Sequence, residues 1–271
     1  MAEISPIEVI RYEEGRCLGE RDDVLASEEP LEIRVEGHSV AIVMRTPGSD
    51  RELAAGFLLS EGIVKSARDI FDITTCVAPG DSGNAVDVGL ANPRAFDPEK
   101  FTRHVFTSSS CGLCGKTSIA AVLKRRRPLK NPLSVPASVL FALPPRLLRA
   151  QSNFRRTGGL HACALFTADG DMLSLCEDVG RHNALDKLIG RELLEKRTPL
   201  TSHIVLLSGR SSFEMLQKAY TGGIAIVAAI GAPSSLAVEF ARDSGQTLVG
   251  FLRGKTMNVY TGAHRILAKQ K

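Results

Sequence analysis

Apolar and polar positions alternate along Leu31-Glu32-Ile33-Arg34-Val35, break at Glu36-Gly37-His38, and resume as an apolar run from Ser39 to Met44. A period of two on both sides of a tight turn predicts a β-hairpin. After Thr46-Pro47-Gly48 the period lengthens. Leu53, Phe57 and Leu58 mark one face of a helix, Ser49 stands three before Glu52 as a capping box, and Gly62 supplies the stop. Strands are predicted over 69–77 and 85–90, with the turn-rich 78–84 between them. A short strand over 103–107 leads towards a helix over 117–127, with Ile119, Val122 and Leu123 inward. Pro128, Pro132, Pro136, Pro144 and Pro145 then punctuate a stretch in which no long element should persist. A lobe boundary near Val135 follows, with a smaller N-terminal β-rich lobe over 1–135 and a second domain over 136–271.

The second domain has a plainer rhythm. A helix over 146–156 enters through Pro145 and stops at Thr157-Gly158-Gly159. Strands over 161–167 and 172–176 flank Ala168-Asp169-Gly170-Asp171, a hairpin signal. Helices over 183–195, 212–220 and 234–243 alternate with strands over 204–207, 224–229 and 247–252. The expected class is α/β (α+β), a mixed sheet with helices on both faces. That order is similar to the cytidine deaminase fold, whose zinc enzymes need H-x-E at one helix start and P-C-x-x-C at another. The matching slots here read His182-Asn183-Ala184 and Gly209-Arg210-Ser211-Ser212-Phe213, which lack the glutamate and both cysteines. No bound metal is expected.

Composition narrows the partners. With 271 residues and 44% hydrophobic positions the chain can bury a substantial core. Its 34 basic and 30 acidic residues give a net charge of +4, too weak to mark a nucleic-acid binder. The basic residues still crowd into Lys124-Arg125-Arg126-Arg127, Lys130, Arg146, Arg149, Arg155 and Arg156, either a solvated face or a surface for a polyanion. Residues 1–14 carry acids and no apolar core of signal-peptide length, and the longest apolar run, Ile224 to Ile230, is too short to span a bilayer. Six cysteines in a chain of this length make no disulfide framework, so a reduced, cytoplasmic protein without membrane contact is expected.

The candidate chemistry centres on Cys111-Gly112-Leu113-Cys114-Gly115-Lys116. A C-x-x-C pair can be a reversible disulfide, half of a zinc site, or a thiolate nucleophile with a second thiol in reserve. Glycine after each cysteine suits a mobile tip, and Lys116 with the following helix start would favour thiolate. Two buried structural cysteines are the alternative, opposed by the small polar run Thr107 to Ser110. Turns at Ser208-Gly209-Arg210-Ser211-Ser212 and Gly231-Ala232-Pro233-Ser234-Ser235 open helices and offer free N–H groups to anions, though ordinary N-caps look alike. His161, Cys163 and Cys176 fit small core positions better than a metal site. Glu177 and Asp178 could orient a base or satisfy amides at a helix start.

Four stretches carry a family resemblance: Cys111 to Gly115, Glu177-Asp178-Val179-Gly180-Arg181-His182-Asn183-Ala184-Leu185-Asp186-Lys187, Ser208 to Met215, and Phe251-Leu252-Arg253-Gly254. Together they resemble the FdhD family, the accessory sulfurtransferases of formate dehydrogenases, from roughly Arg45 to Tyr260. The first forty residues match no motif. The resemblance implies a cytoplasmic homodimer with a deaminase-like fold that takes persulfide sulfur from a cysteine desulfurase. It would pass that sulfur to the bis(molybdopterin guanine dinucleotide) cofactor of molybdenum or tungsten before insertion into formate dehydrogenase. Cys111 would carry the persulfide and Cys114 assist. Phe251, Leu252, Arg253, Gly254, Lys255 and Thr256 would form the cofactor-binding segment, with Gly209, Arg210, Ser211, Ser212 and His182 lining the pocket and GDP acting as a partial mimic. The rival classes are a non-catalytic cofactor-binding chaperone, a thiol-disulfide oxidoreductase and a zinc deaminase.

Overall fold

The computed structural model describes residues 3–76, 83–100 and 127–268. The cysteine loop with Cys111 and Cys114 and the strand expected over 103–107 lie outside them, as does the helix expected over 117–127 apart from Arg127. The first described strands are β1 (Ile4–Glu13) and β2 (Arg16–Ala26), an antiparallel ribbon that pairs with no other strand among the described residues. The sequence reading assigns nothing there. Its signal is the turn Glu14-Gly15, both at positive φ (48° and 80°), which fits a two-residue hairpin loop. The same device, Glu36-Gly37, joins β3 (Glu29–Val35) to β4 (His38–Arg45), the hairpin expected from the alternation. Leu31, Ile33 and Val35 are fully buried on one face of β3.

Helix α1 (Asp50–Glu61) follows, and Gly62 at φ 76° ends it as the sequence indicates. The capping box does not form. Ser49 is itself left-handed (φ 53°, ψ 37°) and makes no cap bond, because Thr46-Pro47-Gly48 turns the chain sharply into the helix; its hydroxyl lies instead 3.5 Å from Arg191 Nη2. Strands β5 (Ile70–Cys76) and β6 (Ala85–Leu90) complete a four-stranded sheet in the order β4-β3-β6-β5, with β3 and β6 parallel.

The proline-rich stretch corrects the expectation of no long element. After the short β7 (Val135–Pro136), α2 (Ala137–Ala150) runs through Pro144 and Pro145, and α3 (Ser152–Thr157) follows before Gly158 at φ 66°. Prolines weaken a helix interior. Here Leu140, Leu143 and Leu147, all fully buried, fix α2 against the main sheet and outweigh that cost.

The remaining strands and helices alternate: β8 (His161–Phe166), β9 (Met172–Asp178), α4 (Arg181–Leu194), β10 (Ile204–Leu207), α5 (Phe213–Thr221), β11 (Ile226–Ala229), α6 (Ser235–Asp243), β12 (Thr247–Arg253), β13 (Thr256–Thr261) and β14 (Ile266–Leu267), which pairs with β7. The main sheet has the order β13-β12-β11-β10-β8-β9. Strands β10, β11 and β12 are parallel, while β8, β9 and β13 are antiparallel to their neighbours. The protein is thus a mixed α+β fold. Alternate residues of β8 serve opposite faces: Ala162, Ala164 and Phe166 meet α2, while Cys163 and Leu165 meet the layer containing α4 and α5.

Helix α1 packs on α4 with almost no separation, and Leu53 and Leu58 share one apolar cluster with Leu185, Leu188 and Ile189. A Cβ on Gly56 would overlap the backbone of Asp186, and one on Gly190 the backbone of Glu52. Buried polar groups fasten the same crossing. Lys187 Nζ donates to the Thr46 carbonyl and pairs with Asp178, both at 2.7 Å. Asp178 also accepts from Thr46 N at 3.1 Å, and Asn183 Nδ2 donates to the Met44 carbonyl at 2.7 Å. Asp186 takes Ser60 Oγ at 2.8 Å and Lys218 Nζ at 2.7 Å. Burying these charges is tolerable because each is paired and hydrogen-bonded. Gly56→Ala should destabilise the fold by about 3 kcal/mol or more, the upper end for forced overpacking, since the obstacle is backbone. Chemical unfolding would measure it.

Candidate functional site at the carboxyl edge of the main sheet

Because β10, β11 and β12 are parallel, their carboxyl ends and the loops after them share one edge, and α4 begins there too. Main-chain bonds stitch the loops together. Gly231 N donates to Gly209 O at 3.1 Å, Ser211 N to Ala232 O at 3.1 Å, Ser234 N to Ser211 O at 3.0 Å and Phe251 N to Gly231 O at 3.0 Å. Arg253 Nε reaches the Ile230 carbonyl at 3.1 Å. Close approach requires glycine at 231, where a Cβ would stand 2.7 Å from Gly209 O; one on Gly209 would stand 3.2 Å from His161 Nδ1, which a shift of the ring could accommodate. The structure therefore brings His182, Gly209, Arg210, Ser211, Ser212 and the start of the 251–256 segment to one edge.

Within that segment the residues differ in what they can offer. Leu252 is fully buried in the core, so only its backbone could face a ligand. Phe251 is exposed and left-handed (φ 52°), an uncommon conformation for an aromatic residue, and the Arg253 guanidinium lies 6.0 Å from its ring centre. Gly254 (φ 55°), Lys255 and Thr256 form the exposed turn into β13. On the second loop, Ser234 spends its hydroxyl as the α6 cap, accepting from Ala237 N at 3.3 Å.

The edge is electrostatically mixed. His182 is buried at the start of α4, with Nε2 3.4 Å from Ser212 Oγ and 3.8 Å from Glu214 Oε2. That ring first of all, then the backbone amide of Glu214 and the Ser212 hydroxyl, holds the Glu214 carboxyl down at about 2. The carboxylate thus occupies the start of α5, the very position read from the sequence as open to an anion. Burial chiefly, with Arg181, His182 and Arg210 adding to it, pushes the His161 imidazole below its ordinary value. Arg181 Nε and Ser211 Oγ are buried without a hydrogen-bond partner among the described residues. Unmet donors beside Arg181 and Arg210 are where an anionic group would be received.

Sequence reasoning did not single out Glu214, Arg181 or His161 for this edge, although the first two stand inside its motifs. It also left Glu177 and Asp178 open. Glu177 accepts from Asn153 N at 3.2 Å and Phe154 N at 2.8 Å, and Asp178 from Gly180 N at 2.8 Å, so both satisfy backbone amides. Of the four described cysteines, Cys163 and Cys176 are buried. Burial raises both thiols, Cys176 to about 11, which leaves them poor nucleophiles. Among the described residues no three histidine, cysteine or acidic side chains converge as a metal site, and no helix is long and apolar enough to cross a membrane.

A mixed sheet whose carboxyl edge gathers three stitched loops, an arginine with an unmet Nε and a histidine–glutamate pair defines an α+β protein with a candidate binding edge. Comparison with known proteins gives its kin. The FdhD/NarQ family model matches residues 26–267, and the chain belongs to that family. It is 51% identical over 265 residues to the sulfur carrier protein FdhD of Streptomyces coelicolor, covering 95% of this chain and 94% of that one. The corresponding Saccharolobus solfataricus protein is 42% identical over 97% of this chain and 98% of its own. A crystal structure from Desulfotalea psychrophila, described as a candidate formate dehydrogenase accessory protein, superposes with a TM-score of 0.79 at 26% identity, covering 98% of this chain and all of that one.

Glu214 gives a pH test. Its folded pKa of about 2 lies below the ordinary 4.5, so its contribution to stability is complete above the ordinary value and is lost as pH falls through about 2. Glu214→Gln should lower stability by about 1–2 kcal/mol at about pH 6, allowing for solvent screening, and by little at about pH 2. Urea midpoints at the two pH values would read this.

Proposed function

We propose that this chain is a sulfurtransferase that carries persulfide sulfur on Cys111 from a cysteine desulfurase to the molybdenum or tungsten bis(molybdopterin guanine dinucleotide) cofactor of formate dehydrogenase. It acts as a cytoplasmic homodimer. The observation that carries this reading is the 51% identity, along 95% of the chain, to a protein named as a sulfur carrier. Loading is a thiol exchange. The Cys111 thiolate attacks the outer sulfur of the desulfurase persulfide, a new S–S bond forms, the old one breaks, and the desulfurase cysteine departs as thiolate. Cys114 thiolate then attacks the Cys111 sulfur, the persulfide S–S bond breaks and its outer sulfur leaves at the sulfide level for the cofactor, leaving a Cys111–Cys114 disulfide that a cellular thiol reduces.

What supports the cofactor part is the chemistry of the carboxyl edge. The buried, unmet donors Arg181 Nε and Ser211 Oγ suit a pyrophosphate, and the exposed Phe251 with Arg253 suits a guanine or its phosphate. The bound cofactor would supply the metal that accepts sulfur; the chain would hold the phosphates and base, with Arg253 and Arg210 facing them and His182 fixed behind by Glu214.

Two outcomes are expected. Incubation with desulfurase and cysteine should place a persulfide on Cys111, seen by mass spectrometry, and Cys111→Ala should abolish activation of formate dehydrogenase in cells while Cys163→Ala is tolerated. Full activation by Cys111→Ala protein would overturn the carrier role, and binding without any persulfide would favour a cofactor chaperone. In calorimetry GDP should bind and guanosine much less. Arg253→Ala should weaken GDP binding by roughly 1.5–3 kcal/mol, the range for a hydrogen bond to a charged group, while Cys111 still loads. Equal GDP affinity in both proteins would move the pocket elsewhere.

A further inference from the structure

A hollow lies on the flank of the molecule, away from the carboxyl edge. Its volume is about 230 Å³, and it is walled by the turn from Thr46 to Ser49, the junction of α2 and α3, β9 and the far part of α4. Arg191, one of its walls, stands roughly three turns, or about 15 Å, further along α4 than Arg181. A cavity of about 150 Å³ holds a benzene ring, so this one suits a ligand of roughly eight to ten heavy atoms, much smaller than a nucleotide.

The polar groups of this hollow are unevenly spent. Glu177 gives its two oxygens to Asn153 N and Phe154 N, Glu3 accepts the Asn153 side-chain amide, and Lys187 is held by Asp178 and the Thr46 carbonyl. Arg191 is different. Its Nη1 donates to Leu175 O at 3.3 Å and its Nη2 lies 3.5 Å from Ser49 Oγ, and no carboxylate pairs with it among the described residues. A guanidinium carries five N–H donors, so most of this fork is uncommitted. Ser49 holds its hydroxyl there from a left-handed backbone (φ 53°), a conformation that costs free energy and here secures no cap bond. The rest of the wall is apolar: Ala150, Leu160, Leu175 and the Cys176 thiol, which burial raises to about 11 although Arg191 and Lys187 pull it down.

We infer that this hollow binds a small free α-amino acid. The carboxylate meets the Arg191 fork and the Ser49 hydroxyl, since a planar guanidinium matches a carboxylate with two parallel bonds. The ammonium lies towards Glu177 and the exposed Glu3 at the mouth, whose carboxylate oxygens can each accept a second bond. The side chain rests on Leu160, Leu175 and the neutral Cys176 thiol. A plain anion would face Glu3 and Glu177 with like charge, and a plain amine would face Arg191; a zwitterion answers both. The inference goes beyond the proposed function and rests on neither the cysteine loop nor the carboxyl edge.

Calorimetry on the full chain with L-valine, isobutyrate and isobutylamine tests it, the last two each lacking one charged group. Valine should bind, and each of the others should bind about tenfold or more weakly, the scale of one lost hydrogen bond to a charged group. Glycine adopts the backbone of residue 49 freely, so Ser49→Gly should keep its stability in urea and still weaken valine binding several-fold. Arg191→Met should weaken it about tenfold or more, and Glu3→Gln should narrow the preference for valine over isobutyrate. Arg253→Ala, at the carboxyl edge, should bind valine as wild type does, and GDP should not compete. Absence of heat at about 10 mM valine, where a millimolar site would be nearly full, would overturn the site. Isobutyrate binding as tightly as valine would overturn the amino-acid ligand. Valine binding left unchanged by both Ser49→Gly and Arg191→Met would overturn its location, and competition by GDP would overturn its separateness from the carboxyl edge.

Discussion

The fold depends on the crossing of α1 and α4, where two glycines let backbones touch. Gly56 and Gly190 each face the main chain of the other helix, and no larger residue fits at either point. Close contact of that kind gains dispersion along both helices but exposes nearby polar groups to desolvation. The chain answers with Lys187, Asp178, Asn183 and Asp186, each paired across the crossing or beside it. These four residues belong to one short stretch, Asp178 to Lys187, so a motif that reads like a binding signature is chiefly an interlock. Only Arg181 and His182 within it turn towards the carboxyl edge.

That interlock positions the site. Asp178 ends β9 and its carboxylate fixes Gly180, so the start of α4 is set to within hydrogen-bond tolerance before any ligand is considered. His182 follows two residues later and meets Ser212 and Glu214 from α5. The three loops beside it are held by main-chain bonds that leave no room for a side chain at Gly231; Arg210 stays exposed, while Arg253 reaches the Ile230 carbonyl and Ser212 lies beside His182.

Much of this was legible in the sequence because period and turn chemistry agreed. The β3–β4 hairpin, the helix closed by Gly62, and the alternation from His161 to Arg253 all stand within a few residues of where hydrophobic spacing puts them. Helix α2 was not legible, since Pro144 and Pro145 argue locally against it while Leu140, Leu143 and Leu147 secure it through burial that no local window records. The ribbon was hidden by its acids, which mask a period of two, and Ser49 by a turn that only coordinates reveal. At the site, Gly209 to Ser212 and Phe251 to Arg253 were found as loops, yet their meeting with His161 and Glu214 is a property of strand order. Spacing along the chain carries no trace of it.

The joining of Thr46 to Asp178 and Lys187 has a consequence for the protein as it is made. The four-stranded sheet and α1 leave the ribosome first, with the glycine-bearing side of α1 bare and the Thr46 loop lacking its anion. Neither can be satisfied until α4 has been synthesised, more than a hundred residues later by the Thr46–Asp178 separation of 132. Contacts of such long range are closed late and leave apolar surface open meanwhile. The N-terminal half is therefore a segment that waits, and its dependence on cellular folding helpers should peak while the chain between Glu61 and Arg181 is still being translated.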